Sequence, residues 1–157
     1  MPRTSAGLLL FRTSPARELE VLLVHPGGPL WATKDRAAWS IPKGEYLPGE
    51  DPAAVAEREF REELGVAAPS GPRLDLGEIT QAGGKRVRAW AIEGEVDVTT
   101  ITSNTFDMEW PPRSGRRARF PEVDRAAWTT VGEARDKLHS GQVELLDRLL
   151  EVLGPRG

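Results

Sequence analysis

The sequence contains no cysteine and only two histidines, His25 and His139, among its 157 residues. The absence of cysteine excludes disulfides, thiolate metal sites and cysteine nucleophiles. Neither histidine has a second histidine at metal-ligand spacing, so both are expected to be structural. Any metal site must therefore be built from carboxylates, which favours hard cations such as Mg²⁺, Mn²⁺ or Ca²⁺ over Zn²⁺.

The chain also lacks the features that membrane insertion and nucleic-acid binding require. Its apolar run near the N-terminus, residues 6–11, is far shorter than the roughly 20 residues of a membrane helix. The 21 basic and 24 acidic residues give a formal net charge of −3, so no generic nucleic-acid binding is expected. These absences predict a cytoplasmic protein with no membrane partner that acts on a small molecule.

The residues that are present fit one α/β domain. The length predicts a single domain over residues 1–157. The apolar patterns and caps predict strands at 5–11, 19–25, 39–42, 106–110 and 126–129, a hairpin of 73–80 and 85–98, and helices at 52–64, 130–139 and from 141 to the stop signal at Gly154-Pro155. This order predicts an α/β sandwich around a mixed sheet.

The first predicted helix carries an unusual row of charges. At about 100° per residue, Glu59, Glu62 and Glu63 share one face of roughly a quarter-turn. Apolar residues form a separate face that is expected to pack on the sheet, namely Ala53, Ala56, Phe60 and Leu64. Like charges at these spacings repel each other, so the row favours a bound cation. The alternative is a solvated helix face neutralised by Arg58 and Arg61.

The wider pattern favours the functional interpretation. The segment GEYLPGEDPAAVAEREFREELGV, residues 44–66, has glycine at 44, glutamate at 50, Arg-Glu at 58–59, an apolar residue at 60, Glu-Glu at 62–63, glycine at 65 and an apolar residue at 66. This spacing resembles the signature of the Nudix hydrolases and matches it without departures. The preceding WSIPKGE and the later PEVDRAAW also resemble that family.

The resemblance implies a Nudix-type α/β/α sandwich and a metal-dependent reaction. It implies metal binding by Gly44, Glu59, Glu62 and Glu63, with Mg²⁺ or Mn²⁺ as the ion and two or more ions in the site. Several carboxylates on one rigid face suit such a cluster, since a pyrophosphate bridge carries charge that cations must neutralise. The resemblance also implies that Arg58 orients a neighbouring glutamate and that Glu50 fixes the loop before the helix.

Residues outside the motif are candidates with ordinary alternatives. Lys43 precedes Gly44 and is expected to contact a substrate phosphate, the alternative being a solvated loop lysine. The resemblance implies that Glu122 binds a further metal ion or deprotonates the attacking water, the alternative being an ordinary loop acid. Three aromatic residues are candidates for stacking on a base: Trp39, Phe106 and Trp110. They are not assigned as site residues, because aromatic side chains more often lie in the core.

A cluster of arginines falls in a segment, 99–120, whose pattern is otherwise irregular. Arg113, Arg116, Arg117 and Arg119 are expected to lie in a loop. Of these, Arg116 and Arg117 are predicted to bind a long polyphosphate substrate. A protein surface as the partner, or a solvated loop, are the alternatives.

The sequence thus predicts an enzyme that hydrolyses a pyrophosphate bridge in a nucleoside triphosphate or dinucleoside polyphosphate and releases two phosphorylated products. Glu62, Glu63 and Glu122 are the candidate catalytic carboxylates, with Arg58 as their positioning partner. One alternative is a substrate such as ADP-ribose, and another is a catalytically silent domain that senses nucleotides. A homodimer is left open as the assembly.

Overall fold

The computed structural model describes residues 3–154 and contains a six-stranded mixed β-sheet and a separate two-stranded sheet. The strands are β1 (Thr4–Thr13), β2 (Leu19–Pro26), β3 (Lys43–Glu45), β4 (Leu74–Thr80), β5 (Arg86–Glu93), β6 (Thr105–Glu109), β7 (Arg117–Pro121) and β8 (Val123–Thr130). The helices are α1 (Pro52–Leu64), α2 (Val131–Lys137) and α3 (Glu144–Leu153). The strand order in the large sheet is β4-β5-β1-β2-β8, and β3 pairs with β1.

Helices cover both faces of the large sheet, as the alternation along β1 requires. Leu8 and Leu10 belong to an apolar cluster with α1, whereas Leu9 and Phe11 belong to a second cluster with α2 and α3. Successive strand residues point to opposite faces, so a strand that is apolar at every position must be buried on both. Strands β1 and β5 run parallel and β1 and β2 antiparallel. The predicted sandwich around a mixed sheet is confirmed.

Helix α1 begins and ends where the sequence predicts. The Asp51 carboxylate accepts a hydrogen bond from the backbone N–H of Ala53, and Pro52 occupies the first turn. Gly65 ends the helix at φ 78°, a conformation that costs glycine little. The predicted apolar face is correct at Ala56, Phe60 and Leu64, which are buried.

The periodicity argument fails in the first turn of α1. Ala53 is exposed, and Val55 is buried among strand side chains instead. Burial at a helix end depends on which neighbouring element covers it, and helical periodicity does not contain that information.

Three other boundaries differ from the prediction. Residues 39–42 form only isolated bridges, and the strand lies immediately after them, at β3, where Lys43 and Gly44 pair with β1. Strand β5 ends at Glu93, five residues before the predicted end at Val98. The segment 117–121 is a strand, β7, which pairs with β6, so Arg117 and Arg119 are strand residues and not loop residues.

The C-terminal helices follow their sequence signals. Thr130 and Glu133 form the predicted capping box of α2. In α3, Leu145, Leu146 and Leu149 are buried, whereas Leu150 is 40% exposed. The chain turns at Gly154, and Pro155 lies outside the described residues. None of the helices within residues 3–154 is both long and apolar enough to cross a bilayer.

The position of Phe60 predicts the largest stability loss on α1. Phe60 is 0% exposed at the contact between α1 and the sheet, so Phe60→Ala should lower the free energy of unfolding by about 3–5 kcal/mol in a urea titration. Val152→Ala on α3 is the control, because Val152 is 45% exposed and its truncation should change stability by about 0.5 kcal/mol or less. Equal losses in the two variants would contradict the placement of this helix face.

Candidate active site

The carboxylates of α1 lie at the edge of its buried face. Glu59, Glu62 and Glu63 are each partly buried, and the Glu59 side chain retains 15% of its exposure. The neighbouring core residues Phe60 and Leu64 are fully buried, so the helix cannot rotate to release the carboxylates into bulk water. The row is therefore rigid, as the sequence predicts.

The loop before α1 lies directly against this row. A Cβ atom on Gly44 would come within 2.1 Å of Glu59 Cδ, so only glycine permits the approach. Strand β3 holds this segment in place, because Gly44 pairs with Ala6 and Lys43 with Gly7 on β1. The Lys43 ammonium and its backbone both favour the ionised form of the Glu63 carboxylate, against the burial that raises its pKa. The start of the motif and the lysine before it therefore lie next to the carboxylates of α1.

Backbone hydrogen bonds bring Glu122 to the same place from a distant part of the chain. The last carbonyls of α1 accept N–H groups from segment 102–104: Thr102 donates to Leu64 at 3.1 Å, and Asn104 donates to Glu62 at 2.8 Å. The carbonyl of Asn104 then accepts the N–H of Glu122 at 2.8 Å, and the carbonyl of Glu122 accepts that of Gly27 at 3.0 Å. The first two bonds satisfy unpaired carbonyls of the helix end, and the other two fix Glu122 beside it.

The gathered carboxylates disfavour one another's ionisation. Burial, then repulsion from Glu59, raises the pKa of Glu63 to about 8, and Lys43 opposes part of that effect. Burial and repulsion from Glu62 raise the pKa of Glu59 and also that of Glu122. Burial lowers the pKa of the Lys43 ammonium, against the attraction of Glu63. The site therefore holds more acidic groups than its own cations neutralise.

Arg58 and Glu50 have the contacts that the resemblance implies. The Arg58 guanidinium lies 3.7 Å from Glu59 Oε1 and 3.6 Å from Glu50 Oε2. Glu50 also accepts the backbone N–H of Leu47 at 2.8 Å, which closes the turn before α1. Arg58 thus bridges the loop and the carboxylate row.

The chemistry of the row fits a hard divalent cation. Its groups are carboxylates, they are partly desolvated, and the Gly44 backbone lies against one of them without an intervening side chain. Within residues 3–154, however, no three His, Asp or Glu side chains already converge as a ready ligand set. The residues that would hold the ion are Gly44, Glu59, Glu62, Glu63 and Glu122, with side-chain rotation to complete the site.

A cleft with two compartments borders the carboxylates. The apolar compartment, of about 250 Å³, is lined by Pro26, Leu30, Trp31, Phe106, Met108 and Glu122. The basic compartment, of about 360 Å³, is lined by residues that include Arg3, Lys43, Gly44, Lys85, Arg86 and His139. Pro26 and Trp31 line both compartments, so the two adjoin at these residues.

The predicted arginine cluster lies on the hairpin of β6 and β7. Exposed and half-buried residues alternate along both strands, and Arg117 and Arg119 lie on the exposed face, opposite Phe106 and Met108. Arg119 forms an ion pair with Asp107 at 3.4 Å. Arg116 lies at the exposed turn between the strands, where its N–H contacts Ser114 Oγ. Substrate binding by Arg116 and Arg117 stays a prediction.

Several cleft residues were not predicted as site residues. Trp31, Met108, Lys85 and Arg86 come from a loop and from strands that carry no motif, so no local signal marks them. Of the aromatic candidates, Trp39 is 4% exposed and its remaining surface lines the basic compartment, whereas Phe106 lines the apolar compartment. Recognising Phe106 from sequence would have required the β6–β7 pairing that the prediction missed.

Comparison with known families supports the motif. A family model described as NUDIX domain matches residues 1–149. Diphosphoinositol polyphosphate phosphohydrolase 3-beta of Bos taurus is 34% identical over 121 residues, which cover 77% of this chain and 65% of the relative, less than two thirds of its length. The Homo sapiens protein of the same name is 32% identical over 141 residues, which cover 90% of this chain and 76% of the relative.

Solved structures share the fold. A C. elegans Ap4A hydrolase in a binary complex has a TM-score of 0.65 at 22% identity and covers 95% of this chain and 97% of its own. The NUDIX domain of Shewanella oneidensis NrtR, solved with ADP ribose, also has a TM-score of 0.65, at 15% identity, and covers 98% of this chain and 90% of its own. At these identities the likeness concerns the fold alone.

The contact between Gly44 and Glu59 yields a test of cation binding. Gly44→Ala would displace the flexible Glu59 carboxylate and not the backbone, so folding should survive while Mn²⁺ affinity falls about 10- to 100-fold. Mn²⁺ titration by calorimetry or paramagnetic resonance, with a melting curve, measures both. Gly132→Ala on α2 is the matched control, since the nearest atom to its Cβ is 4.0 Å away. Unchanged Mn²⁺ affinity in Gly44→Ala would remove this segment from the cation site.

Proposed function

The chain belongs to the Nudix family, and from this premise we propose that it is a divalent-cation-dependent pyrophosphohydrolase of nucleoside triphosphates or dinucleoside polyphosphates. The observation that carries the proposal is the row of partly buried carboxylates on α1, joined by Glu122 and held against Gly44. Burial and mutual repulsion raise the pKa of Glu59, Glu63 and Glu122, which supports a cation as the partner of the row.

In this proposal the carboxylates have two tasks. Gly44, Glu59, Glu62, Glu63 and Glu122 hold Mg²⁺ or Mn²⁺, two or more ions in all. When bound there, such ions would neutralise charge on the pyrophosphate and make water a better nucleophile. The phosphates of the substrate are also negatively charged. Cations at this site therefore neutralise both the carboxylate row and the substrate.

The reaction itself transfers a phosphoryl group to water. The water oxygen attacks one phosphorus of the bridge, the bond from that phosphorus to the bridging oxygen breaks, and the water proton passes to Glu62, Glu63 or Glu122. Arg58 acts as a positioning residue, because its guanidinium lies near Glu59 and Glu50 and contacts both the row and the loop. Two phosphorylated products leave.

Substrate phosphates enter beside Lys43. Its ammonium lines the basic compartment next to Gly44, and its environment is desolvated enough to strengthen a contact with an anion. Arg116 and Arg117 are proposed as a further contact to the far end of a long polyphosphate. Their contribution requires the hairpin turn to bend over the cleft, since Arg117 lies on the outer face.

A second candidate substrate class follows from the curated relatives. Their name describes hydrolysis of diphosphoinositol polyphosphates, and the basic compartment of this chain suits a polyanion of that kind. A nucleoside diphosphate linked to another group, such as ADP-ribose, is also compatible with the carboxylate row. A domain that senses nucleotides without turnover is disfavoured, because the complete row would then bring a cost in stability and no gain.

A substrate panel with Mg²⁺ tests the proposal. Nucleoside triphosphates, diadenosine polyphosphates, ADP-ribose and a diphosphoinositol polyphosphate should be compared, with the products identified by chromatography. We expect two phosphorylated products from a nucleoside triphosphate or a dinucleoside polyphosphate, and no turnover when the cations are chelated. Tight binding of one nucleotide with no turnover of any compound would instead support the sensing domain.

Glu63→Gln separates the catalytic from the structural role of the row. The change removes one charge at its centre, so we expect the rate to fall by about 10²-fold or more. Above about pH 8, where Glu63 ionises without a cation, the metal-free variant should be at least as stable as the wild type, because a buried carboxylate that Glu59 and Glu122 repel has been neutralised. Glu57→Gln on the same helix is the control: it removes a charge from a part-buried, bidentate pair with Arg73 that lies outside the row, so it should keep the rate even if stability falls. Normal turnover by Glu63→Gln at saturating Mg²⁺ would exclude Glu63 from the site.

A further inference from the structure

We propose that the apolar compartment binds the base of the substrate by stacking, with little preference among bases, while the phosphate chain crosses the carboxylates into the basic compartment. The inference rests on the proposed function and deepens it, since it names which part of the substrate each compartment takes. It also distinguishes a nucleotide from a phosphorylated polyol.

The apolar compartment is built from side chains that folding alone does not bury. Trp31 is 38% exposed and Leu30 is 61% exposed, although both are large and apolar. Phe106 and Met108 are half-buried on the face of the β6–β7 hairpin that meets them. Exposed apolar side chains that converge on a cleft are typical of a ligand site. A flat aromatic ligand would cover this surface.

Several backbone groups of the compartment are not free to read the edge of a base. Pro26 and Pro29 have no N–H, and the N–H of Gly27 donates to the carbonyl of Glu122 at 3.0 Å. The N–H of Trp31 donates to the carbonyl of Gly28 at 3.3 Å. Because stacking uses the face that every base has, while discrimination needs free hydrogen-bonding groups, this lining predicts broad base tolerance.

The basic compartment carries the groups that bind phosphates. Lys43, Lys85 and Arg86 all line it, and Lys85 has no carboxylate partner in an ion pair among residues 3–154. The N–H of Gly141 donates to Nδ1 of His139 at 3.1 Å, so the neutral ring carries its proton on Nε2 and presents a donor there. Cations and a fixed donor together match phosphate oxygens.

The order of the compartments fixes how a substrate lies. Glu122 lines the apolar compartment and Gly44 lines the basic one. The row on α1 lies between these two residues, with Glu59 against Gly44 and the Glu62 carbonyl joined to Glu122 through Asn104. A base against Trp31 therefore directs its phosphates past Glu122 toward Lys43. A polyol in the same compartment would lose water from its hydroxyls without gaining partners.

The decisive experiment removes the base from the substrate and the indole from the protein. ATP, GTP, UTP and ribose 5-triphosphate share one sugar and phosphate chain, and only the last lacks a base. Their kcat/KM values are measured for the wild type, Trp31→Ala and Trp31→Leu. Methylene-bridged, non-hydrolysable analogues of ATP and ribose 5-triphosphate supply Kd values for the same proteins by calorimetry.

We expect Trp31→Ala to lower kcat/KM for the three nucleotides about 10- to 100-fold and for ribose 5-triphosphate by a much smaller factor, since Trp31 also borders the basic compartment. Trp31→Leu keeps an apolar wall and lacks the ring, so its loss should be nearly as large. For the wild type, the kcat/KM values of ATP, GTP and UTP should lie within about tenfold of one another. Trp110→Ala is the matched control, because Trp110 lies on the same hairpin and lines neither compartment.

Arg86→Ala completes the crossed design. Arg86 lines the basic compartment, so this change should lower kcat/KM for the nucleotides and for ribose 5-triphosphate by the same factor. Equal effects of Trp31→Ala on substrates with and without a base, or no effect on either, would overturn the inference. A preference for one base above about 100-fold would overturn its claim of tolerance.

The inference and the proposed function can fail separately. If the wild type turns over nucleotides and Trp31→Ala affects substrates with and without a base equally, the proposed pyrophosphohydrolase activity is supported and the base site is excluded. If the wild type hydrolyses nothing, the proposed function fails, and the Kd values of the analogues still decide the role of the compartment. Loss of affinity for the ATP analogue alone in Trp31→Ala supports the base site, and equal Kd changes for both analogues overturn it.

Discussion

The hydrogen bonds at the carboxyl end of α1 are the constraint on which the site depends. A helix leaves its last carbonyls unpaired, and here segment 102–104 supplies the N–H groups for Glu62 and Leu64. The same segment accepts the N–H of Glu122, whose carbonyl in turn holds Gly27. The pairing of these helix carbonyls therefore connects the end of α1 to a glutamate that is distant in sequence and to the loop that lines the cleft. Gly65 makes this approach feasible, since a Cβ there would lie 2.6 Å from the carbonyl oxygen of Thr102.

The cost of the carboxylate row is met by the packing beneath it. Phe60 and Leu64 are fully buried in the cluster between α1 and the sheet, and this burial holds the helix in a position that its charges disfavour. Lys43 and Arg58 offset only part of the repulsion. An arrangement that is locally unfavourable and firmly held is typical of a site that awaits a cation and a charged substrate.

The β6–β7 hairpin divides its residues between two environments. Its strands alternate, so that Asp107, Glu109, Arg117 and Arg119 are exposed on one face while Phe106, Met108, Ala118 and Phe120 are half-buried on the other. The charged face neutralises itself across the strands, as the Asp107–Arg119 pair shows. The apolar face is completed by the loop after β2. The cleft thus acquires one apolar and one basic compartment from elements that are far apart in the chain.

The sequence by itself determined the local structure and the chemical identity of the site. The caps of α1 and α2, the hairpins around 14–18 and 81–85, and the motif at 44–66 depend on neighbours along the chain, so periodicity and turn residues predict them. Only the tertiary structure decided that Val55 replaces Ala53 in the core, that β3 lies at 43–45, and that Arg117 and Arg119 belong to a strand. It also decided which residues form the two compartments, because Trp31, Lys85, Arg86 and Phe106 meet through strand pairing and loop packing. Such contacts depend on distances in space, and no local pattern of residues encodes them.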